Sequence, residues 1–193
     1  MMTKITGRGK FTAYLALLAV AAIFAASAYA SQGIEEIMLS ITSPEDIAQF
    51  FFQEFRYTTN LPDQAHSPEE TIESRSGDCE DFAILASEML TRMGVENHVL
   101  VIRFRGISIA HAICVWKGKN GLYSFISNRE LHHTGQRTVE GAVRKFYPDC
   151  ETIASIDPKM YSTGGSGRGI SAARQYRGAG LLTNLDPRSS AGL

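Results

Sequence analysis

Ser76-Gly77-Asp78-Cys79-Glu80-Asp81-Phe82-Ala83 is the stretch that decides the reading of this 193-residue chain. It sets a cysteine in the first turn of an expected helix, shortly after a glycine. There the unpaired backbone N–H groups and the positive end of the helix dipole favour thiolate over thiol. The same N–H groups can donate to an oxyanion developing on an acyl carbon. From Cys79 the apolar residues Phe82, Ala83, Leu85, Ala86, Met89, Leu90 and Met93 recur at helical spacing, and Gly94 supplies the stop. The flanking acids have two readings. Asp78 and Asp81 suit a helix start, where each adds a few tenths to about 1 kcal/mol. Asp78, Glu80 and Asp81 together would raise the thiol pKa unless a positive charge compensates.

Two start signals precede this helix. Ser43-Pro44-Glu45-Asp46 reads as an N-cap, a proline at the first helical position and an acid three residues after the cap, opening a helix to about Arg56. Ser67-Pro68-Glu69-Glu70 repeats the signal for a shorter helix ending near Ser74. After Gly94 the pattern changes. Asn97–Arg105, Ile107–Trp116 and Leu122–Ser127 are strand-like, and Lys117-Gly118-Lys119-Asn120-Gly121 carries hairpin residues between the last two. Thr138–Tyr147 is a candidate helix ended by Pro148, and Thr152–Ile156 a last strand. Helices followed by adjacent strands predict an α+β fold with an antiparallel sheet.

A nucleophilic cysteine needs a base. His111 lies 32 residues beyond Cys79, on a strand that can pack beside the helix start. The next strand ends at Ser127-Asn128, which offers an orienting group for the imidazole. Cys114, three residues past His111, should face the other side of its strand as core. Cys150 follows Pro148-Asp149 and is either a buried free thiol or the partner of Cys114. Three cysteines cannot all pair within one chain. His132-His133 reads as a surface loop, and Tyr57 and Trp116 as core or cleft aromatics. No CxxC, HxxxH or HExxH spacing supports zinc, and no glycine-rich nucleotide loop follows a strand.

Gly77-Asp78-Cys79-Glu80-Asp81-Phe82-Ala83, a helix ending in Met93-Gly94-Val95, and His111-Ala112 on a strand together resemble the transglutaminase-like superfamily over about residues 43–130. The Asp-Cys-Glu-Asp run and the export signal described below are most similar to its bacterial cysteine proteinases, periplasmic enzymes that release surface adhesins. The resemblance implies a papain-like fold and a Cys-His-Asp triad, with Cys79 as nucleophile and His111 as base. It implies acyl transfer at protein or peptide amides through a Cys79 thioester, with no required cofactor. In those proteinases acids beside the nucleophile bind calcium, and the matching positions are Asp78 and Glu80, oxygen ligands that suit a hard cation. The chain departs from the pattern at the third member. Ser127 stands in the aspartate slot, and a hydroxyl accepts from imidazole without supplying charge. Asn128 is the alternative orienting group, one residue out of phase on a regular strand. A catalytically weak or silent binding module of the cell envelope, or a crosslinking enzyme, are the other readings.

The whole chain has 19 basic and 20 acidic residues, a balance that gives no reason to expect nucleic acid as partner. The balance is a cancellation between unlike segments. Residues 1–30 carry Lys4, Arg8 and Lys10, no acid, an apolar run from about Phe11 to Ala28 and an Ala28-Tyr29-Ala30 end. That is the form of a secretory signal peptide, with an uncleaved anchor touching the membrane as the other reading. Export to the periplasm or beyond follows in either case. Residues 159–193 are rich in Gly, Ser and Arg, with five basic residues and one acid, and read as a disordered tail. Residues 31–158 remain as one domain with 11 basic and 19 acidic groups, net −8.

Overall fold

The structure, a computed structural model, describes residues 33–59 and 65–161. The expected signal peptide, and the tail beyond residue 161, lie outside them. Helix α1, Ile34–Met38, leads into α2, Pro44–Glu54. Ser43 and Asp46 form a reciprocal capping box: Ser43 Oγ accepts from the Asp46 N–H at 3.2 Å and Asp46 Oδ2 from the Ser43 N–H at 2.9 Å. Ser67 and Glu70 do the same for α3, Pro68–Ser74. Each box satisfies two backbone donors that a helix start otherwise leaves unpaired. Arg75, in the left-handed region at φ 51°, turns the chain out of α3. Short strands β1, Arg56–Tyr57, and β2, Ser76–Gly77, then pair in parallel and deliver the chain to α4, Cys79–Arg92.

The second half builds a five-stranded sheet from β3, Asn97–Phe104, β4, Ala110–Lys117, β5, Tyr123–Ser127, β6, Glu130–Gln136, and β7, Cys150–Ile156. Its order is β6-β5-β4-β3-β7 and every neighbouring pair is antiparallel. The expected α+β architecture is the one observed. Helix α5, Val139–Phe146, joins β6 to β7. Both faces of the sheet are covered. Val99, Val101, Ala112, Cys114 and Trp116 pack with Phe51, Phe55, Phe82, Leu85 and Met89 of the helical layer. Leu100, Ile102, Ile113, Val115 and Phe125 pack with Val139 and Val143 of α5. A strand buried on both sides has no polar face, which is why β3 and β4 read as continuous apolar runs rather than alternating ones.

Several boundaries differ from the sequence expectation. Strand β4 begins at Ala110 instead of Ile107, because Gly106 at φ 71° turns the chain and leaves Ile107 and Ile109 exposed. Strand β7 starts two residues earlier, at Cys150, just past a register shift between Arg103 and Phe104. The expected loop around His132-His133 is strand β6. Its residues carry too few apolar groups for a strand signal, and the ladder to β5 is what makes it one. The Cys114–Cys150 pairing is absent. All three thiols are free, with Cys114 in the helix-side core and Cys150 in the α5-side core. Among the described residues no helix is long and apolar enough to cross a membrane.

Candidate active site

The start of α4 is held by its own acids. Asp78 Oδ1 accepts from the N–H groups of Glu80 at 3.0 Å and Asp81 at 3.5 Å, and Asp81 Oδ2 accepts from the Asp78 N–H at 2.9 Å. The buried Asp81 carboxylate also accepts from the His66 N–H at 2.6 Å, with His66 Nδ1 3.3 Å from its other oxygen. The helix-start reading of Asp78 and Asp81 therefore holds. A Cβ at residue 77 would sit 2.6 Å from Asp81 Cβ and 2.8 Å from Oδ2, so only glycine admits this close approach. Gly77 thus lets the capping acid fold back, and Cys79 becomes the first residue of the helix.

The Cys79 thiol is largely buried against β4, where the backbone N–H of Ala112 lies within hydrogen-bond reach. Burial pushes its pKa up to about 11. The N–H groups of Ala112 and of Cys79 itself pull it down, while the charges of Asp78 and Glu80 push it further up. The helix start does favour the thiolate as expected. Burial outweighs it, and burial depends on packing that the sequence does not show.

His111 is the residue before Ala112 on β4 and faces the α5 side of the sheet, against Ser127 and Tyr147. Its Nε2 lies 2.9 Å from Ser127 Oγ. Ser127 pairs with Ile113 in the β4–β5 ladder, and residues opposite one another share a face with their second neighbours, here His111. The serine in the aspartate slot thus meets the expected base. Asn128 does not serve as the alternative. It occupies the tight turn to β6 at φ 52°, and its buried Oδ1 has no hydrogen-bond partner. Burial holds His111 below the ordinary histidine pKa, so its ring is neutral at neutral pH.

Tyr147 joins this group from a helix end. It closes α5, donates its O–H to Ser127 Oγ at 3.0 Å, and sets its ring centroid 5.6 Å from that of His111. Burial chiefly, then the nearby Cys79, raises its phenol pKa. No periodicity or motif marks a tyrosine at a helix end as part of a site. Tyr57, half-exposed on β1, also lies in the electrostatic reach of Cys79 and Asp78. Trp116 is core, and His132 and His133 lie on β6, stacked on Phe125 and bonded to Ser124 respectively.

Asp78 and Glu80 are both buried and both act on the thiol. They suit a hard cation in donor type, though two side chains supply only part of the about six to eight oxygens calcium takes. Among the described residues no three His, Cys, Asp or Glu side chains gather into a metal site. Chemically, a neutral imidazole that reaches the thiol can accept its proton as the sulfur attacks. Asp78 Oδ1 already takes the N–H groups of Glu80 and Asp81, so that of Cys79 is the one the α4 start can offer an oxyanion.

The sequence matches the family model described as a transglutaminase-like domain over residues 28–132, just over half of the chain. Among solved structures it is similar to Legionella pneumophila LapG at 22% identity and a TM-score of 0.45, covering 59% of this chain and 63% of that one. Calcium-bound LapG matches at 21% identity and a TM-score of 0.45, over 66% of this chain and 67% of that one. EGTA-treated LapG matches at 23% and 0.42, over 56% and 58%. The chain spans less than two thirds of the first of these structures. No curated protein matches.

Proposed function

The chain belongs to the transglutaminase-like domain family, and from that premise we propose that it is a thiol acyl-transfer enzyme, a cysteine peptidase or amidase acting on protein or peptide amides. The observation that carries the reading is the convergence of three elements. The first turn of α4 brings Cys79 to the Ala112 backbone, the adjacent His111 follows on β4, and Ser127 on β5 bonds the far nitrogen of that ring. With Nε2 occupied by Ser127, Nδ1 is the nitrogen left to take the Cys79 proton. The sulfur then attacks the amide carbon, the tetrahedral oxyanion accepts from the Cys79 N–H, the one at the α4 start that Asp78 does not take, and the C–N bond breaks as His111 returns the proton to the leaving amine. Water, deprotonated by the same imidazole, releases the acid from the thioester. Hydrolysis is favoured over amine transfer because water is always present.

The basic, apolar and Ala-Tyr-Ala run of residues 1–30 supports export, which makes the substrate a protein or peptide of the cell envelope. Calcium enters the proposal through Asp78 and Glu80, which would hold it. Its charge would favour the thiolate by offsetting theirs.

A binding module without turnover is the second reading, favoured by the high thiol pKa and by the absence of charge at Ser127. Alkylation by iodoacetamide, followed by intact mass across a pH series, separates the two. General-base activation predicts that Cys79 reacts faster at neutral pH than a free thiol. The rate should climb as the imidazole loses its proton and fall by about 100-fold or more in His111→Ala, with Cys79→Ser removing the reactive site. A Cys79 no faster than a free thiol and indifferent to His111→Ala leaves only the binding module.

A further inference from the structure

We propose that the end of β3 and the turn after it, residues 103–109, form a lip that recognises the substrate, a peptide segment with carboxylates and apolar side chains beside the scissile amide. The inference rests on the acyl-transfer reading and deepens it by naming a substrate class. The lip runs directly into Ala110 and His111 at the start of β4. Register fixes the direction of one of its side chains. Val101 pairs with Ala112, and both pack against the helical layer. Arg103, two residues on, pairs with Ala110 on that same face. It therefore faces the layer in which α4 begins with Cys79.

The seven residues of the lip include two arginines and no acid. Among the described residues the arginines in ion pairs are Arg92, with Glu35 and Glu88 at the far end of α4, and Arg144, with Glu140 on α5. Arg103 and Arg105 form none. The carboxylates of Asp149 and Glu151, exposed where the chain enters β7 beside the lip, pair with neither. One guanidinium nitrogen of Arg103 is buried without a hydrogen-bond partner, an orphaned donor of a kind that folded chains seldom keep. Arg75 has such a nitrogen too, but its guanidinium lies over the rings of Phe50 and Phe55, 5.4 Å from each. Beyond Arg105, Gly106 at φ 71° turns the chain and leaves Ile107 57% and Ile109 71% exposed. Guanidinium groups bind carboxylates through paired N–H donors, and the isoleucines offer apolar area to a neighbouring side chain. Residues 31–158 carry 11 basic and 19 acidic groups, net −8. The domain as a whole repels an acidic peptide, which therefore needs unpaired cations where it docks.

The test is peptide binding to the full chain carrying Cys79→Ser, which separates recognition from turnover. Three fluorescein-labelled peptides share one framework of leucine and glycine and carry glutamate, glutamine or lysine at its polar positions. Anisotropy titrations should show the glutamate peptide binding about tenfold more tightly than the glutamine one, the size of one charge-assisted hydrogen bond. The lysine peptide should bind most weakly, and the margin between the first two should shrink in high salt. Arg103→Gln/Arg105→Gln should abolish that margin, whereas Lys119→Gln, on the hairpin at the other end of β4, should leave it intact. Ile107→Ser/Ile109→Ser should weaken the glutamate and glutamine peptides alike. Equal binding of the three peptides, binding of none, or a margin that survives Arg103→Gln/Arg105→Gln overturns the proposal. If that double variant does not fold, Arg105→Gln alone, at an exposed residue, must narrow the margin. Failure of the enzyme reading shows separately. Cys79 alkylation indifferent to His111→Ala would end acyl transfer, while these titrations, made without the thiol, still judge the lip.

Discussion

On the nucleophile's side of the site, α4 brings three carboxylates within four residues, Asp78, Glu80 and Asp81, all buried. On the base's side, β4, β5 and the end of α5 bring His111, Ser127 and Tyr147, and the groups bonded around the imidazole are hydroxyls. In a Cys-His-Asp or Ser-His-Asp triad the negative charge stands behind the histidine, where it stabilises the imidazolium. Here it stands beside the sulfur and adds to burial. The thiol is pushed up to about 11 by burial first and by Asp78 and Glu80 after it, and burial alone holds the imidazole low, so both groups are neutral at rest. With no charge behind the imidazole, nothing on its side offsets that desolvation.

Moving charge across the site should have the largest effect. Ser127→Asp places a carboxylate against Nε2, favours the imidazolium and raises the His111 pKa from its depressed value. Cys79 alkylation at neutral pH should increase by about tenfold, as expected for one unit of altered proton affinity. An NMR titration that leaves His111 where it was would show that the hydroxyl already does what a carboxylate would do.

Removing charge from the cysteine side should act in the same direction and less strongly. Asp78→Asn with Glu80→Gln deletes the two charges that raise the thiol, while asparagine keeps the helix cap. Its Cys79 should titrate below about 11 and alkylate a few-fold faster, by analogy with the usual size of single-charge effects. Calcium should produce the same acceleration in wild type and none in the double variant. If EGTA changes neither alkylation nor thermal stability of the wild-type chain, calcium drops out of the proposal.

The smallest effect is on stability. The folded Cys79 pKa lies above its ordinary value of 9.0, so its contribution is fully present below that pH and is lost as pH rises through about 11. Urea denaturation of Cys79→Ser should lack this part of the alkaline decline, worth about 3 kcal/mol at most. His111 works the opposite way. Its folded pKa is lowered, so its contribution is present above the ordinary 6.5 and is lost as pH falls through the folded value. Buried Cys114 and Tyr147 contribute an alkaline limb of their own, so a limb of unchanged size in Cys79→Ser would mean that the thiol is less buried than its packing against β4 implies.

The two sides also differ in how far they can be read from the chain. The cysteine side is local. Ser43-Pro44, Ser67-Pro68 and Asp78-Cys79-Glu80-Asp81 fold by contacts within three or four residues, so their caps, and the helices they open, are legible in order. The base side is assembled across the sheet. Ser127 could be matched to the aspartate slot by its position in the chain, but its bond to His111 spans 16 residues and depends on the β4–β5 register. Tyr147 lies 20 residues from Ser127 and meets it only because α5 folds back over the sheet. The polar edge strand β6 is illegible in the sequence for the same reason, since its ladder to β5 rather than its own residues makes it a strand.

The sequence by itself therefore determined the α+β order of elements and the acid-rich setting of Cys79, which rest on capping and on side-chain period acting over a few residues, and it offered Cys79 and His111 as candidate nucleophile and base. Only the tertiary structure decided that burial overrides the helix start at Cys79, that Ser127 rather than Asn128 bonds the imidazole, and that Tyr147 completes the contact. Desolvation and hydrogen-bond geometry depend on which distant segments come together, and no window of sequence contains that information.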